Sequence, residues 1–279
     1  MICIVVALEL EARPIIENYN LKNVGDPHFR IYENEYMSLI ISGIGKLRSS
    51  IATTYLLSKT EDKDKVGAIN IGLCGSYERA IKIGTPVLIN KITDIDTGYE
   101  FFPDILFSHS MTEGQLGTHP RIISSKDIKG VECAKQNGFV DMEGAGFFSA
   151  ANTFLAPHRI SLIKIVSDHL EGIRLERDAM IAIIRQTKDR IDAVIGCIFE
   201  EISSTIEVLD ANEKEYLDNI ADALRLTTTQ RHELFDMAFK YKLRTEKKLP
   251  KFNNVSFNID SKREGKKEFE KIKRTFWGR

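Results

Sequence analysis

The feature that most constrains this chain is its start. Residues 2–8 (ICIVVAL) are seven consecutive apolar residues, rich in β-branched side chains, with no position left to face water. Such a run fits a central strand covered on both faces, as in a parallel sheet packed between helices. It ends in acid, at Glu9 and Glu11. A second run, residues 36–42 (YMSLIIS), stops at Gly43-Ile44-Gly45-Lys46 and leads into a helical pattern that reaches Leu57. Residues 68–73, 85–95 and 159–166 read as further strands, Pro86 suiting a strand start. Residues 121–125 and 139–142 read as short strands, and 144–155 as a helix. This alternation predicts an α/β fold with a mixed, largely parallel central sheet flanked by helices.

Two stretches break the pattern. Residues 97–121 scatter Pro103, Gly114, Gly117 and Pro120 among aromatics and histidines, and read as a long irregular loop of the kind that often carries function. From about 175 to 208 a single long helix is expected. Two more helices, 211–226 and 229–244, meet at Leu226-Thr227-Thr228-Thr229, where a threonine can serve as N-cap. Three parts result: an α/β domain over 1–209, a helical hairpin over 210–249, and a basic tail over 250–279 that is flexible or ordered by a partner.

Charge follows the same division. Residues 241–279 hold 13 Lys or Arg against 5 Asp or Glu, a net of +8, which leaves −9 on residues 1–240 of a chain whose formal charge is −1. Whole-chain charge therefore gives no argument for a polyanionic partner, but the tail invites a protein or nucleic-acid partner. Within it, Phe269, Ile272, Phe276 and Trp277 share one helical face, the pattern of a docking helix. The hairpin has the outline of a helix-turn-helix, with Arg225 where a turn glycine is common. The cysteines Cys3, Cys74, Cys133 and Cys197 form no C-x-x-C pair, no apolar run approaches the ~18 residues of a membrane span, and no leader precedes the first strand. A reduced, cytoplasmic protein is expected, and no metal ligand set is seen among its histidines.

Three carboxylates, Glu11, Glu143 and Asp168, fall at or just beyond strand ends. In an open α/β sheet, ligands bind beyond the carboxyl ends of the strands, so these acids can converge on one crevice; each can equally cap the helix that follows it. The glycine turn is no Walker A loop, since Leu47 follows Lys46, and no dinucleotide fingerprint, since Arg48 replaces the third glycine.

Four segments, in order, resemble the nucleoside phosphorylase and nucleosidase superfamily, and within it most closely the methylthioadenosine/S-adenosylhomocysteine nucleosidases. Ala7-Leu8-Glu9-Leu10-Glu11 is similar to that family's A-M-E-E-E, and Ser42-Gly43-Ile44-Gly45-Lys46 to its glycine turn. Val140-Asp141-Met142-Glu143 is similar to V-E-M-E, and Val166-Ser167-Asp168 to I-S-D. The resemblance covers residues 1–205. It implies a cofactor-independent purine nucleoside hydrolase, and a homodimer is expected. It also implies that Glu11 deprotonates the attacking water and that Asp168, oriented by Ser167, protonates the purine at N7. Glu143 would accept hydrogen bonds from the ribose 2′ and 3′ hydroxyls, while Met142, Ser42, Gly43 and Gly72 line the substrate site. The chemistry suits these residue types, because a departing base is neutralised by an acid and the cationic sugar is flanked by carboxylate.

The chain also departs from the family. Gly72-Leu73-Cys74-Gly75-Ser76 stands where a serine-bearing G-S-A-G-G is usual, and Asn70 where phosphorylases place an arginine, which favours hydrolysis over phosphorolysis. The segment from Ser76 to Glu143 is short, and no S-G-D-x-F base-stacking motif survives around Ser124-Ser125-Lys126. The aromatics Tyr99, Phe101, Phe102 and Phe107 are candidates to rebuild the purine pocket. Two alternatives therefore stay open: a phosphate-dependent phosphorylase, and a non-catalytic nucleoside-binding module that docks a partner through its C-terminal extension.

Overall fold

The computed structural model describes residues 1–124, 138–171, 176–202, 208–245, 247–252, 255–256, 259 and 261–277. It divides into two compact units, Met1–Thr205 and Ile206–Arg279, a few residues ahead of the boundary read from composition.

The first unit is built on a 10-stranded sheet. In chain order its elements are β1 (Ile2–Val6), α1 (Glu9–Tyr19), β2 (Lys22–Asn23), β3 (Arg30–Glu33), β4 (Met37–Ile41), α2 (Lys46–Ser58), β5 (Gly67–Ser76), β6 (Pro86–Asp94), β7 (Glu100–Phe101), β8 (Thr112–Thr118), β9 (Phe139–Asp141), α3 (Gly144–Ala151), β10 (Ile160–Asp168), α4 (Arg177–Gln186) and α5 (Lys188–Ile202). Parallel ladders join β4 to β1, β1 to β5, and β5 to β10 through the centre. The long β5 also pairs with β9, and β9, β8, β6 and β10 follow in turn, so this half of the sheet closes on itself at β5. The mixed α/β sheet expected from the sequence is what forms. Every residue of β1 and β4 is buried, which is why those strands read as unbroken apolar runs.

Residues 97–121 are not the continuous loop that their composition suggests. Residues 112–118 form β8, parallel to both β6 and β9. Its glycines hid it: a Cβ on Gly114 would stand 2.3 Å from the Phe139 ring, so the strand gives up a side chain to accommodate its neighbour. Residues 121–124, expected to begin a strand, have no regular structure. The expected single helix is two, α4 and α5, interrupted at Thr187, whose hydroxyl donates back to the Ile184 carbonyl.

The second unit holds α6 (Ala211–Ala223), α7 (Thr228–Thr245) and α8 (Lys262–Trp277). Asp210 caps α6, accepting from the Glu213 amide at 2.8 Å while the Glu213 carboxylate accepts from the Asp210 amide. Thr227 and Gln230 form the matching pair ahead of α7. Between the helices Arg225 takes a left-handed conformation, φ 50°. The apolar stripe of α8 has an internal partner: Phe269, Ile272 and Phe276 are buried with Leu217, Leu224, Leu234 and Phe252 in this unit's own core. Composition left residues 250–279 flexible or ordered by a partner; for α8 the hairpin itself supplies that partner.

Candidate functional site

The parallel strands β1, β4, β5 and β10 bring their carboxyl ends to one edge, where α1, α2 and α3 begin. Glu11, in the first turn of α1, turns back over that edge. One carboxylate oxygen accepts the amides of Ala7 at 3.0 Å and Leu8 at 2.9 Å, and the other accepts the Leu73 amide at 2.9 Å. The carboxylate thus ties the end of β1 to β5 and is 3% exposed. Burial raises its pKa, while the three amides and the Lys164 charge oppose the rise. Gly72 makes the approach possible, since a Cβ there would lie 3.1 Å from Glu11 Oε1 and 3.6 Å from Lys164 Nζ.

Beside Glu11 lies a buried cluster of charge. Lys164, 1% exposed in the middle of β10, pairs with Asp141 at 2.8 Å. Asp141 also accepts the Thr118 hydroxyl and the Gly144 amide, both at 2.7 Å. Burial alone would lower the pKa of the Lys164 ammonium, but Asp141, Glu143 and Glu11 outweigh burial and raise it. Glu143 is buried, and its carboxylate accepts the Gly45 amide at 2.8 Å, pinning the glycine turn in which Gly43 and Gly45 have φ of 84° and 107°. Burial first, and then the Asp141 charge, push the Glu143 carboxyl up to about 7. Three acids around one lysine cannot all be ionised cheaply, so Glu143 is the one poised to hold a proton.

Asp168 ends β10. Its Oδ1 accepts the Leu170 amide at 2.8 Å, and its Oδ2 lies 2.8 Å from the Ser167 hydroxyl, which is itself 3.1 Å from the Cys74 carbonyl. One hydroxyl hydrogen cannot serve both acceptors at once.

The remaining expected site residues are placed as follows. The Ser42 hydroxyl lies against backbone, 2.8 Å from the Gly43 carbonyl and 3.2 Å from that of Val6. Met142 is half-buried, next to Glu143. Lys46 turns away to Asp94 at 2.6 Å and Asp96 at 2.9 Å. Asn70 is buried with its amide on the Val5 carbonyl at 2.9 Å, so no cation stands there. Of the aromatics offered for the purine pocket, Phe101 packs on Phe148 with ring centroids 5.5 Å apart, whereas Tyr99 and Phe102 are exposed. Ser124 is described without regular structure; Ser125 and Lys126 lie outside the described residues. Sequence reasoning missed Lys164 and Asp141 as site residues. The signal was present: a lone lysine inside the apolar strand ISLIKIV demands a buried acid.

Comparison with known proteins follows the same lines. Residues 1–129 match the family model of the phosphorylase superfamily. The 5'-methylthioadenosine/S-adenosylhomocysteine nucleosidase of Lysinibacillus sphaericus (strain C3-41) is 26% identical over 163 residues, which are 56% of this chain and 64% of that relative. The chain thus spans just under two thirds of that relative's length. The Helicobacter pylori 5'-methylthioadenosine/S-adenosylhomocysteine nucleosidase with butyl-thio-DADMe-Immucillin-A aligns with a TM-score of 0.60 at 16% identity, over 70% of this chain and 97% of its own. Futalosine hydrolase of H. pylori strain 26695 aligns with a TM-score of 0.57 at 17% identity, over 70% of this chain and 96% of its own. The resemblance carried by the four sequence segments is borne out by family model, relatives and fold together.

Proposed function

We propose, on the premise that residues 1–205 form a phosphorylase-superfamily domain, that this protein hydrolyses the N-glycosidic bond of purine nucleosides. The observation that supports the reading is the placing of Glu11, Glu143 and Asp168 along one sheet edge, each held by its own hydrogen bonds. Glu11, fixed by three amides and raised by burial, orients a water and takes its proton as the water attacks C1′. Glu143 accepts hydrogen bonds from the ribose 2′ and 3′ hydroxyls, which stabilise its ionised form as the sugar binds. Asp168, its carboxyl oriented by Ser167, delivers a proton to N7 of the leaving purine. As the C1′–N9 bond breaks, its electron pair goes to the base, and the sugar cation gains the water oxygen. The products are free base and ribose.

Lys164 and Asp141 act through the others. The ammonium offsets part of the negative charge gathered around the sugar site, and the Asp141 carboxylate fixes Lys164 and the first turn of α3. Asn70 supports hydrolysis over phosphorolysis, because nothing at that position can grip a phosphate dianion. A homodimer is part of the same reading. Ile44, Leu47 and Ile51, on or just ahead of α2, are 50%, 73% and 52% exposed, and a second copy would cover that face. A cytoplasmic location is likewise proposed; no helix among the described residues is long and apolar enough to cross a membrane.

The test is purine release by the full chain from a panel of nucleosides, with and without phosphate. Free base and ribose without phosphate are expected. No release from any nucleoside, or a rate proportional to phosphate with a ribose 1-phosphate product, contradicts the proposal.

A further inference from the structure

Next to the site lies a groove of about 490 Å³ that the three acids leave unused. Ala7, Ser42 and Gly43 line it together with His28, Arg30 and Arg48. The order of strands fixes which part of a substrate would reach it. Along the carboxyl edge, Asp168 stands on β10, Gly72 on β5, and Ala7 and Ser42 follow the ends of β1 and β4; Arg30 begins the antiparallel β3 opposite Ile41. With neighbouring strands about 4.8 Å apart, β3 lies roughly 14 Å from β5 along the sheet. C1′ and C4′ flank the ring oxygen of ribose, so the base and the 5′ substituent leave the ring at opposite ends. A base held at Asp168 with its sugar over β5 and β1 therefore points its 5′ carbon toward β4 and β3.

The charges of the groove are unevenly satisfied. Glu9 is paired with Arg30. Asp26 is saturated, accepting from Lys59, from the Tyr55 hydroxyl at 2.7 Å and from the amides of His28 and Phe29, both at 2.9 Å. Arg48 is exposed and has no hydrogen-bond or ion-pair partner among the described residues. It lies across the glycine turn, its Cδ and Nη1 3.1 and 3.2 Å from where a Cβ on Gly43 would stand, so the turn glycine makes the room for the guanidinium. An unspent guanidinium beside a sugar site, with a second one a single ion-pair exchange away, is a receptor for an oxyanion.

We propose that this groove is a subsite for a 5′-phosphoryl group, and that purine nucleoside 5′-phosphates, rather than neutral nucleosides, are the preferred substrate class. The inference rests on the hydrolase reading. The phosphoryl group is gripped by Arg48 and by Arg30 as Arg30 leaves Glu9. Water adds at C1′, the purine departs, and the sugar product is ribose 5-phosphate.

The experiment compares adenosine with adenosine 5′-monophosphate on the full chain in phosphate-free buffer, by base release and by calorimetric binding, for the wild type and Arg48→Gln. The monophosphate should exceed the nucleoside at least about tenfold in kcat/KM, and Arg48→Gln should shrink that ratio about tenfold or more, the loss of one charge-assisted hydrogen bond. Equal use and equal binding of the two ligands, or a ratio unchanged in Arg48→Gln, overturns the subsite. Acceleration of adenosine cleavage by added inorganic phosphate, with ribose 1-phosphate formed, would assign the oxyanion to an attacking phosphate and also overturn it. Should neither ligand be cleaved, the hydrolase reading fails by itself. The binding arm then decides the subsite: tighter monophosphate binding that Arg48→Gln weakens supports it, and equal binding refutes it.

Discussion

A carboxyl group near neutrality inside a protein has to be explained by what surrounds it. At Glu143 the explanation is burial together with the negative charge of Asp141, against which the single ammonium of Lys164 and the Gly45 amide work only in part. The pH dependence follows from the sign of the shift. The folded protein holds this proton up to about 7, whereas an unfolded chain releases it near the ordinary 4.5. Between those values the native state binds more protons than the unfolded one, so stability falls as pH rises through that window. Thermal melts of the ligand-free protein should lose stability from about pH 4.5 to 7, by roughly 1–3 kcal/mol in total. Glu143→Gln, which cannot ionise, should flatten the decline; an equally steep decline in that variant would place the titrating group elsewhere. Glu11, Glu143 and Asp168 were legible as strand-end acids because their neighbours in sequence carry a family's pattern. Lys164 and Asp141 were not, because what matters about them is a pairing between β10 and the end of β9, and a single sequence does not state which strands adjoin.

Among the elements, those that bury an unbroken apolar face were readable: β1, β4, β5 and β10 form close to where their runs predict them. Those whose partner replaces a side chain were not. The strand β8 hides behind Gly114, since Phe139 from β9 fills the space a side chain there would need. The helix α8 was readable as amphipathic, but not as having its partner within the chain, because Leu217, Leu224 and Leu234 lie some 35 to 60 residues earlier. Its packing leads to a definite outcome. Ending the chain at residue 261 removes Phe269, Ile272 and Phe276 from a small core in which Phe252 is the other buried aromatic among the described residues. Residues 206–249 should then become the first site of limited proteolysis, with a loss of helical signal beyond that of the deleted residues. Undiminished protease resistance in that stretch would show that the hairpin is stable without α8.

For the molecule as a whole, the first unit has a fold like that of the solved nucleosidases, and the second has a core of its own and much of the chain's positive charge. The exposed face of Ile44, Leu47 and Ile51 adjoins the glycine turn, so a second copy seated there would also close the site. Sedimentation should find the full chain as a dimer that Leu47→Lys dissociates, and a monomeric wild type at micromolar concentration would exclude that arrangement. The central claim is chemical: a proton delivered from Asp168 makes the purine leave. It is tested most directly by the rate of base release in Asp168→Asn against the wild type, on whichever substrate of the panel is cleaved fastest and at matched melting temperature. A fall of at least about a hundredfold, the usual scale of general acid catalysis, is the predicted result. Release at the wild-type rate from a folded Asp168→Asn protein would contradict the account.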